Sequence, residues 1–146
     1  MTALEKLRNW ISTFPDYDIL AVLNVDYTDQ IPNNGGLFPS GLVEVSRKQD
    51  ILGNSEIANR YNFGLYCVFE KPPGDDAAST INADWVSAFQ EWVQDQSARR
   101  LAPVFGDDPM TEKITAQNGM LYQAEAEGLA TYMVQITVEC TKRIEV

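Results

Sequence analysis

Histidine is absent from this 146-residue chain, and cysteine occurs only twice, at Cys67 and Cys140. Without an imidazole, a Ser-His-Asp or Cys-His site is excluded, because those sites move protons through histidine. A cysteine nucleophile would need another base and a setting that stabilises its thiolate, and none flanks either cysteine in sequence. Positive charge is scarce as well: 11 Lys+Arg stand against 21 Asp+Glu, for a formal charge of −10. Gripping nucleic acid takes clustered cations that neutralise phosphates, so that class is disfavoured. No apolar run approaches the roughly 18 residues that a membrane-spanning helix needs. The opening stretch Met1-Thr2-Ala3-Leu4-Glu5-Lys6 lacks the basic-then-apolar layout of a signal peptide, which places the chain in the cytoplasm of its host cell. In that compartment two cysteines are most simply free thiols, buried as small hydrophobes, although sequence alone leaves a disulfide open.

Sites built from other residue types are equally hard to find. The run Asn33-Asn34-Gly35-Gly36 has glycines but lacks the Gly-Lys-Ser/Thr ending of a phosphate loop. The pairs Asp75-Asp76 and Asp107-Asp108 offer oxygen ligands of the kind Ca²⁺ and Mg²⁺ prefer, but neither sits in an EF-hand spacing. As acidic pairs in Gly/Pro-rich loops they read as solvated. Nothing places two carboxylates at the separation that glycoside hydrolysis requires. The sequence therefore points to no catalytic, cofactor-binding or metal-ligating residue. The basic pairs Arg47-Lys48, Arg99-Arg100 and Lys142-Arg143 are scattered. They read as solvated surface with local ion pairs, or as contacts to acidic surfaces of neighbouring subunits.

What is present is strong patterning in a chain long enough for one domain with a real core. Hydrophobic residues at 45% and aromatics at 10% argue against disorder. Thr2-Ala3-Leu4-Glu5 has the form of a capping box and opens a helix. Leu4, Leu7, Ile11 and Phe14 recur at helical spacing with Trp10 beside them, and Pro15 stops the helix. Residues 18–28 read as a strand, continuously apolar over 19–23. Residues 29–36 are dense in turn formers and read as a loop, a long one if residues 37–41 belong to it. A second strand is expected over 42–50, then a turn at Ile51-Leu52-Gly53-Asn54 with Gly53 or Asn54 at positive φ. The returning strand alternates: Ile57, Tyr61, Phe63, Leu65, Cys67 and Phe69 share the buried face, and Arg60, Asn62, Gly64, Tyr66 and Glu70 take a largely wet one.

Residues 71–80 read as an exposed connection, and a second helix is expected to start near Asn82. Ile81 and Val86 sit at the positions of a hydrophobic staple. Trp85, Phe89, Trp92 and Val93 form a wide apolar stripe that reads as core and ends about Ala98. Arg99-Arg100 falls at the C-terminus, where cations offset the helix dipole. After an irregular link over 101–109, a strand from about Glu112 carries Asn118-Gly119, a bulge or tight turn. Residues 125–128 form a hairpin tip. The last strand buries Tyr132, Val134, Ile136, Val138 and Cys140, and its alternation runs on to Ile144 and Val146. The order is α-β-β-β-α-β-β. The fold class is α+β, a single domain over 1–146 with one largely antiparallel sheet and two amphipathic helices packed on one face.

Several runs carry a resemblance. They are Asp50-Ile51-Leu52-Gly53-Asn54, then Tyr61-Asn62-Phe63 with Leu65-Tyr66, then Trp92-Val93-Gln94. The stretch from Ser97-Ala98-Arg99-Arg100 through Phe105-Gly106-Asp107 and the stretch from Ile114-Thr115-Ala116 through Leu121-Tyr122 complete them. Together these resemble a family of small prophage-encoded proteins of Gram-positive bacteria, lying among head–tail and tail genes and called minor capsid or tail proteins. By size, acidity and element order the chain is also similar to the tail-terminator proteins of long-tailed phages. That resemblance implies an α+β subunit of a homo-hexameric ring that caps the tail tube and presents it to the head–tail connector proteins. It implies no enzymatic activity and no cofactor, and a place in the host cytoplasm during assembly and in the virion neck afterwards. DNA would pass without tight binding. Ring subunits need two different, complementary edges and loops that adapt to the parts above and below. The candidate interface loops are Asn33, Asn34, Gly35, Gly36 and Phe38 in one segment, and Pro72, Pro73, Asp75 and Asp76 in the other. A head-completion or connector protein is the nearest alternative. A small-ligand-binding α+β domain is a second, and a host-directed acidic decoy of nucleic acid a third.

Overall fold

The computed structural model describes residues 2–15, 22–25, 34–70, 76–124 and 129–146. In chain order the elements are α1 (Ala3–Ile11), β1 (Val22–Val25), β2 (Asn34–Gln49), β3 (Ser55–Glu70), α2 (Asp76–Ala98), β4 (Lys113–Ala124) and β5 (Leu129–Ile144). A 3-10 turn at Pro109–Thr111 precedes β4. The sequence order of helices and strands is the one the patterning predicts. The strands make one sheet in the order β1-β2-β3-β5-β4. β2, β3, β5 and β4 are antiparallel in turn, and only the short β1 runs parallel to its neighbour, along Asn34 to Leu37. The α+β assignment holds, with both helices on one face.

Helix α1 forms because its ends and its stripe agree. Thr2 Oγ1 accepts from Glu5 N–H at 3.2 Å and Glu5 Oε2 accepts from Thr2 N–H at 3.3 Å, the reciprocal capping box. Leu7, Trp10, Ile11 and Phe14 are buried, and each aliphatic or aromatic side chain so placed contributes roughly 1.5–3 kcal/mol. α1 is held against α2 by Trp10 stacked on Trp92 with centroids 4.7 Å apart, and by Trp10 Nε1–H donating to Gln96 Oε1 at 3.3 Å. Phe14 packs edge-on against Trp85 and Phe89. The stripe on α2 is core, as its spacing predicts: Trp85, Phe89 and Val93 are buried and Trp92 is half-buried.

The long pair β3·β5 is the spine of the sheet, in register from Ser55↔Ile144 to Glu70↔Leu129. Its helix-facing side carries Phe63, Leu65, Cys67, Phe69, Tyr132, Val134, Ile136 and Val138, all buried. The alternation read from sequence is thus the alternation in the fold. The opposite face departs from it at one end, where Val68 and Thr131 are buried too.

At Asn118-Gly119 the register between β4 and β5 slips, so the expected bulge is present, with Asn118 at φ 56°. Its purpose is close packing. A Cβ on Gly119 would stand 2.5 Å from Val86 Cγ1 and closer still to Gln90 Oε1, both on α2. Gln90 Nε2–H in turn donates to Ala116 C=O at 3.1 Å, and Ser97 Oγ accepts from Ile114 N–H at 3.1 Å. α2 is therefore sewn along β4.

Two boundaries differ from the expectation. The second helix begins at Asp76, not near Asn82; Asn82 is a buried residue inside it, and Ile81 is exposed, so no Ile81–Val86 staple forms. The presumed loop from residue 29 is strand from Asn34 onward. Pairing decides the second case: Gly35 and Gly36 sit opposite Cys67 and Tyr66, and tertiary pairing overrides turn chemistry.

Candidate interaction surface

Beyond Leu37, no described strand pairs with the outer side of β2. The strand nevertheless continues for another dozen residues, to Gln49, and every residue from Pro39 to Gly53 is exposed. Residues 42–57 thus form a hairpin arm with one edge that no described strand pairs. Its register against β3 slips between Pro39 and Leu42 and again between Glu44 and Ser46, and Gly41 takes φ 87° at the first slip. Proline fits here because an edge strand need not donate every N–H to a neighbour. The arm carries apolar side chains into solvent: Leu42, Val43, Val45, Ile51 and Leu52 are all exposed, Leu52 by 78%. Long exposed edges of this kind are usually blunted or covered, because they template pairing with another chain.

The tip of the arm is rigid. Asp50 Oδ1 accepts from Leu52 N–H at 2.9 Å and from Asn54 N–H at 3.0 Å, and Asn54 Nδ2–H donates to Asp50 Oδ2 at 3.2 Å. Gly53 takes φ 87°, the positive value expected for this turn. Val146 N–H donates to Asn54 Oδ1 at 3.1 Å, which ties the end of the chain to the tip. Ile51 and Leu52 are therefore held outward on a preorganised turn, and ordering them on contact costs little.

The other edge of the sheet is different. β4 borders a groove of about 780 Å³ whose second wall is α2. Polar side chains line most of it, among them Gln90, Gln94, Glu91, Arg100 and Lys113, and no aromatic does. At its upper end lies an acidic corner. Asp107 Oδ2 accepts from Arg143 N–H at 2.8 Å, and Asp108 pairs with the Arg143 guanidinium at 3.2 Å. Glu112 Oε1 accepts from both Phe105 and Gly106 N–H at 2.6 Å. Asp107 and Asp108 clamp the 101–112 connection to β5, and Glu112 closes that connection on itself. Asp107-Asp108 is thus a structural pair, partnered within the chain. Exposed Leu101, Val104 and Met110 lie on the same connection.

The sheet face away from the helices carries Phe38 edge-on against Tyr66, with centroids 4.9 Å apart, and the ion pair Arg60–Glu139 at 3.1 Å. Both charges of that pair are more than two-fifths exposed, so its contribution is about 0–1 kcal/mol. The cysteines are free and buried, as expected. Cys67 lies opposite Tyr132, eight residues from Cys140 along β5, or roughly 26 Å at strand rise, far beyond disulfide reach. Burial pushes the Cys67 thiol far up; burial also raises Cys140, with Glu112 and Asp107 adding to it. Both thiols are therefore protonated, the opposite of a nucleophile's setting. Among the described residues no group of three His, Cys, Asp or Glu is placed to hold a metal ion, and no helix is long and apolar enough to cross a membrane.

The expected interface loops fare unevenly. Asn34, Gly35, Gly36 and Phe38 are not in a loop; they lie in β2, where Gly35 and Gly36 are buried and Phe38 packs on Tyr66. Asp76 is the first residue of α2. Asn33, Pro72, Pro73 and Asp75 lie outside the described residues. What sequence reading missed is the arm just beyond that first segment. Its signal was present: Ile51-Leu52 is an apolar pair at a hairpin turn, where polar residues are the rule.

No family model matches the chain, and no curated protein matches it.

Proposed function

We propose that the chain is a structural subunit of virion assembly, a ring-forming tail-terminator or tail-completion protein at the head–tail junction. The observation that carries this reading is the arm: a hairpin with outward aliphatic residues and an edge that no described strand pairs at one side of the sheet, and an unlike, helix-bordered groove at the other. A subunit with two different contact surfaces suits head-to-tail closure into a ring. The resemblance to phage tail proteins supplies the setting, with the tail tube and the head–tail connector proteins as neighbours. Six copies at −10 each would carry about −60, and carboxylates along a central passage would repel DNA phosphates over about 8 Å at physiological salt.

The small-ligand alternative fits less well. Ligand sites are often lined by aromatic side chains, whereas the groove beside β4 has none, and half of its lining residues are amide or charged. The test is electron microscopy of particles assembled without this chain. Overlong tails are the expected result. Leaking heads beside tails of normal length would move the chain to head completion, and normal particles would overturn the proposal.

A further inference from the structure

We infer that the groove between α2 and β4 is a docking site for an acidic peptide segment, whose carboxylates are taken by Arg100 and Lys113. This goes beyond the ring-forming reading and does not depend on it. Arg100 carries the argument because of where it stands. Leu101 N–H donates to Gln96 C=O at 2.9 Å and Arg100 N–H to Ser97 C=O at 3.2 Å, the two bonds of a Schellman motif that closes α2. Arg100 fills the left-handed position of that motif, with φ 59°. Glycine usually takes it, because a Cβ is strained there. The strained residue nevertheless spends little of its side chain inside the fold. Among the described residues its guanidinium donates to Met110 Sδ alone, at 3.0 Å, and a thioether is a weak acceptor. Arg47, Arg60, Arg99 and Arg143 each meet a carboxylate instead. A strained position that holds an underused guanidinium at the wall of a groove points to a ligand.

The groove supplies the rest. Lys113 lines it with Arg100, and the two also share an adjoining cleft of about 40 Å³. Among the described residues no carboxylate pairs with Lys113: Glu139, opposite it on β5, is engaged by Arg60. Glu112 lines the same cleft, but its Oε1 is spent on Phe105 and Gly106 N–H, and one carboxylate against two cations leaves this end of the groove positive. Repulsion from the rest of a −10 chain is screened within about 8 Å at physiological salt, so contact decides. Further along, Gln94 and Gln117 carry amides with no partner among the described residues, and an amide offers the donor and acceptor that a peptide group needs. From Lys113 to Gln117 the wall runs roughly 13 Å at strand rise, room for about four extended residues. Glu91 lies roughly 13 Å along the helix from Arg100, where it turns away a second acidic group and so sets the segment's direction. Gln90 and Ser97 already bond the β4 backbone, so recognition is by side chains, without an added strand.

Fluorescence anisotropy on the whole chain tests this site. The probes are a rhodamine-labelled peptide, Gly-Ser-Glu-Glu-Ser-Gly, and its counterpart with glutamine for both glutamates. The acidic peptide is expected to bind about fivefold tighter or more. Arg100→Gly and Lys113→Gln should each weaken it by about fivefold or more. The urea midpoint of Arg100→Gly should hold or rise, since glycine suits φ 59°. An arginine kept only to close the helix would give the reverse, a lower midpoint with binding intact, and would overturn the site. Equal affinity for the two peptides, or no saturation by roughly 1 mM, would overturn it too. Succinate that displaces the peptide at equal concentration would make this a small-anion site, and a thymidine hexanucleotide that does so would make it a phosphate site; either result overturns the peptide assignment. Ring closure is read separately, by mass photometry of the same variants, so neither claim falls with the other.

Discussion

Replacing Gly119 by Ala probes the seam that joins α2 to the sheet. The new Cβ would lie 2.5 Å from Val86 Cγ1, where carbon atoms rest at about 3.5–4.0 Å, so something must move by roughly 1 Å. Val86 is 3% exposed, and its branched side chain has essentially one rotamer in a helix. Overpacking of this kind costs about 1–3 kcal/mol. Gln90, the other neighbour, can swing aside only by giving up its bond to Ala116 C=O, another ~0.5–1.5 kcal/mol. Against this, losing a glycine in a strand gains about 0.4–1 kcal/mol by restricting the unfolded chain. The net expectation is a loss of about 1–3 kcal/mol in urea unfolding at unchanged m-value. Val86→Ala alone removes buried methyl groups and costs about 1–3 kcal/mol. In the double variant the clash partner is gone, so the two losses should fall short of their sum by at least ~1 kcal/mol. Additive losses, or a neutral Gly119→Ala, would refute the claim that the bulge exists to admit the helix.

Glu112→Ala removes the acceptor for two backbone donors at 2.6 Å and should cost at least ~2 kcal/mol in urea unfolding, with Glu112→Gln recovering part of it. Above about pH 9 the unfolded Cys67 thiol ionises while the folded one keeps its proton. The folded state then binds more protons, so stability is complete at neutral pH and falls by up to ~1.4 kcal/mol per pH unit as pH rises. Cys67→Ala should flatten that alkaline slope, whatever it costs at pH 7, and unfolding measured between pH 8 and 10.5 checks it. Ile51→Asp with Leu52→Asp should leave urea stability within about 0.5 kcal/mol, because both side chains already face water. The same variant should fail to cap tail tubes in electron micrographs.

Much of the fold was legible because each element agreed with itself. The capping box at Thr2, the stripe from Trp85 to Val93 and the period-two runs of β3 and β5 all stated a structure that packing then confirmed. The failures have one cause: local chemistry was read where tertiary pairing decides. Asn34 to Gly36 look like a turn, yet β3 on one side and β1 on the other draw them into the sheet. The stretch Ala77-Ala78-Ser79-Thr80 carries no apolar stripe, so the first turn of α2 left no periodic signal. For the candidate surface, the sequence showed an apolar pair at a turn but not that the arm beside it has no partner strand among the described residues, since an edge exists only once the strand order is known.

The central claim is that this protein acts by closing against copies of itself on a tail tube. Its most direct test is to add the purified chain to tubes that lack it and measure the mass and symmetry of what binds. A single closed ring of identical subunits at one end of each tube is the predicted result. Tubes that stay bare, or a chain that binds along their length as isolated monomers, would contradict it.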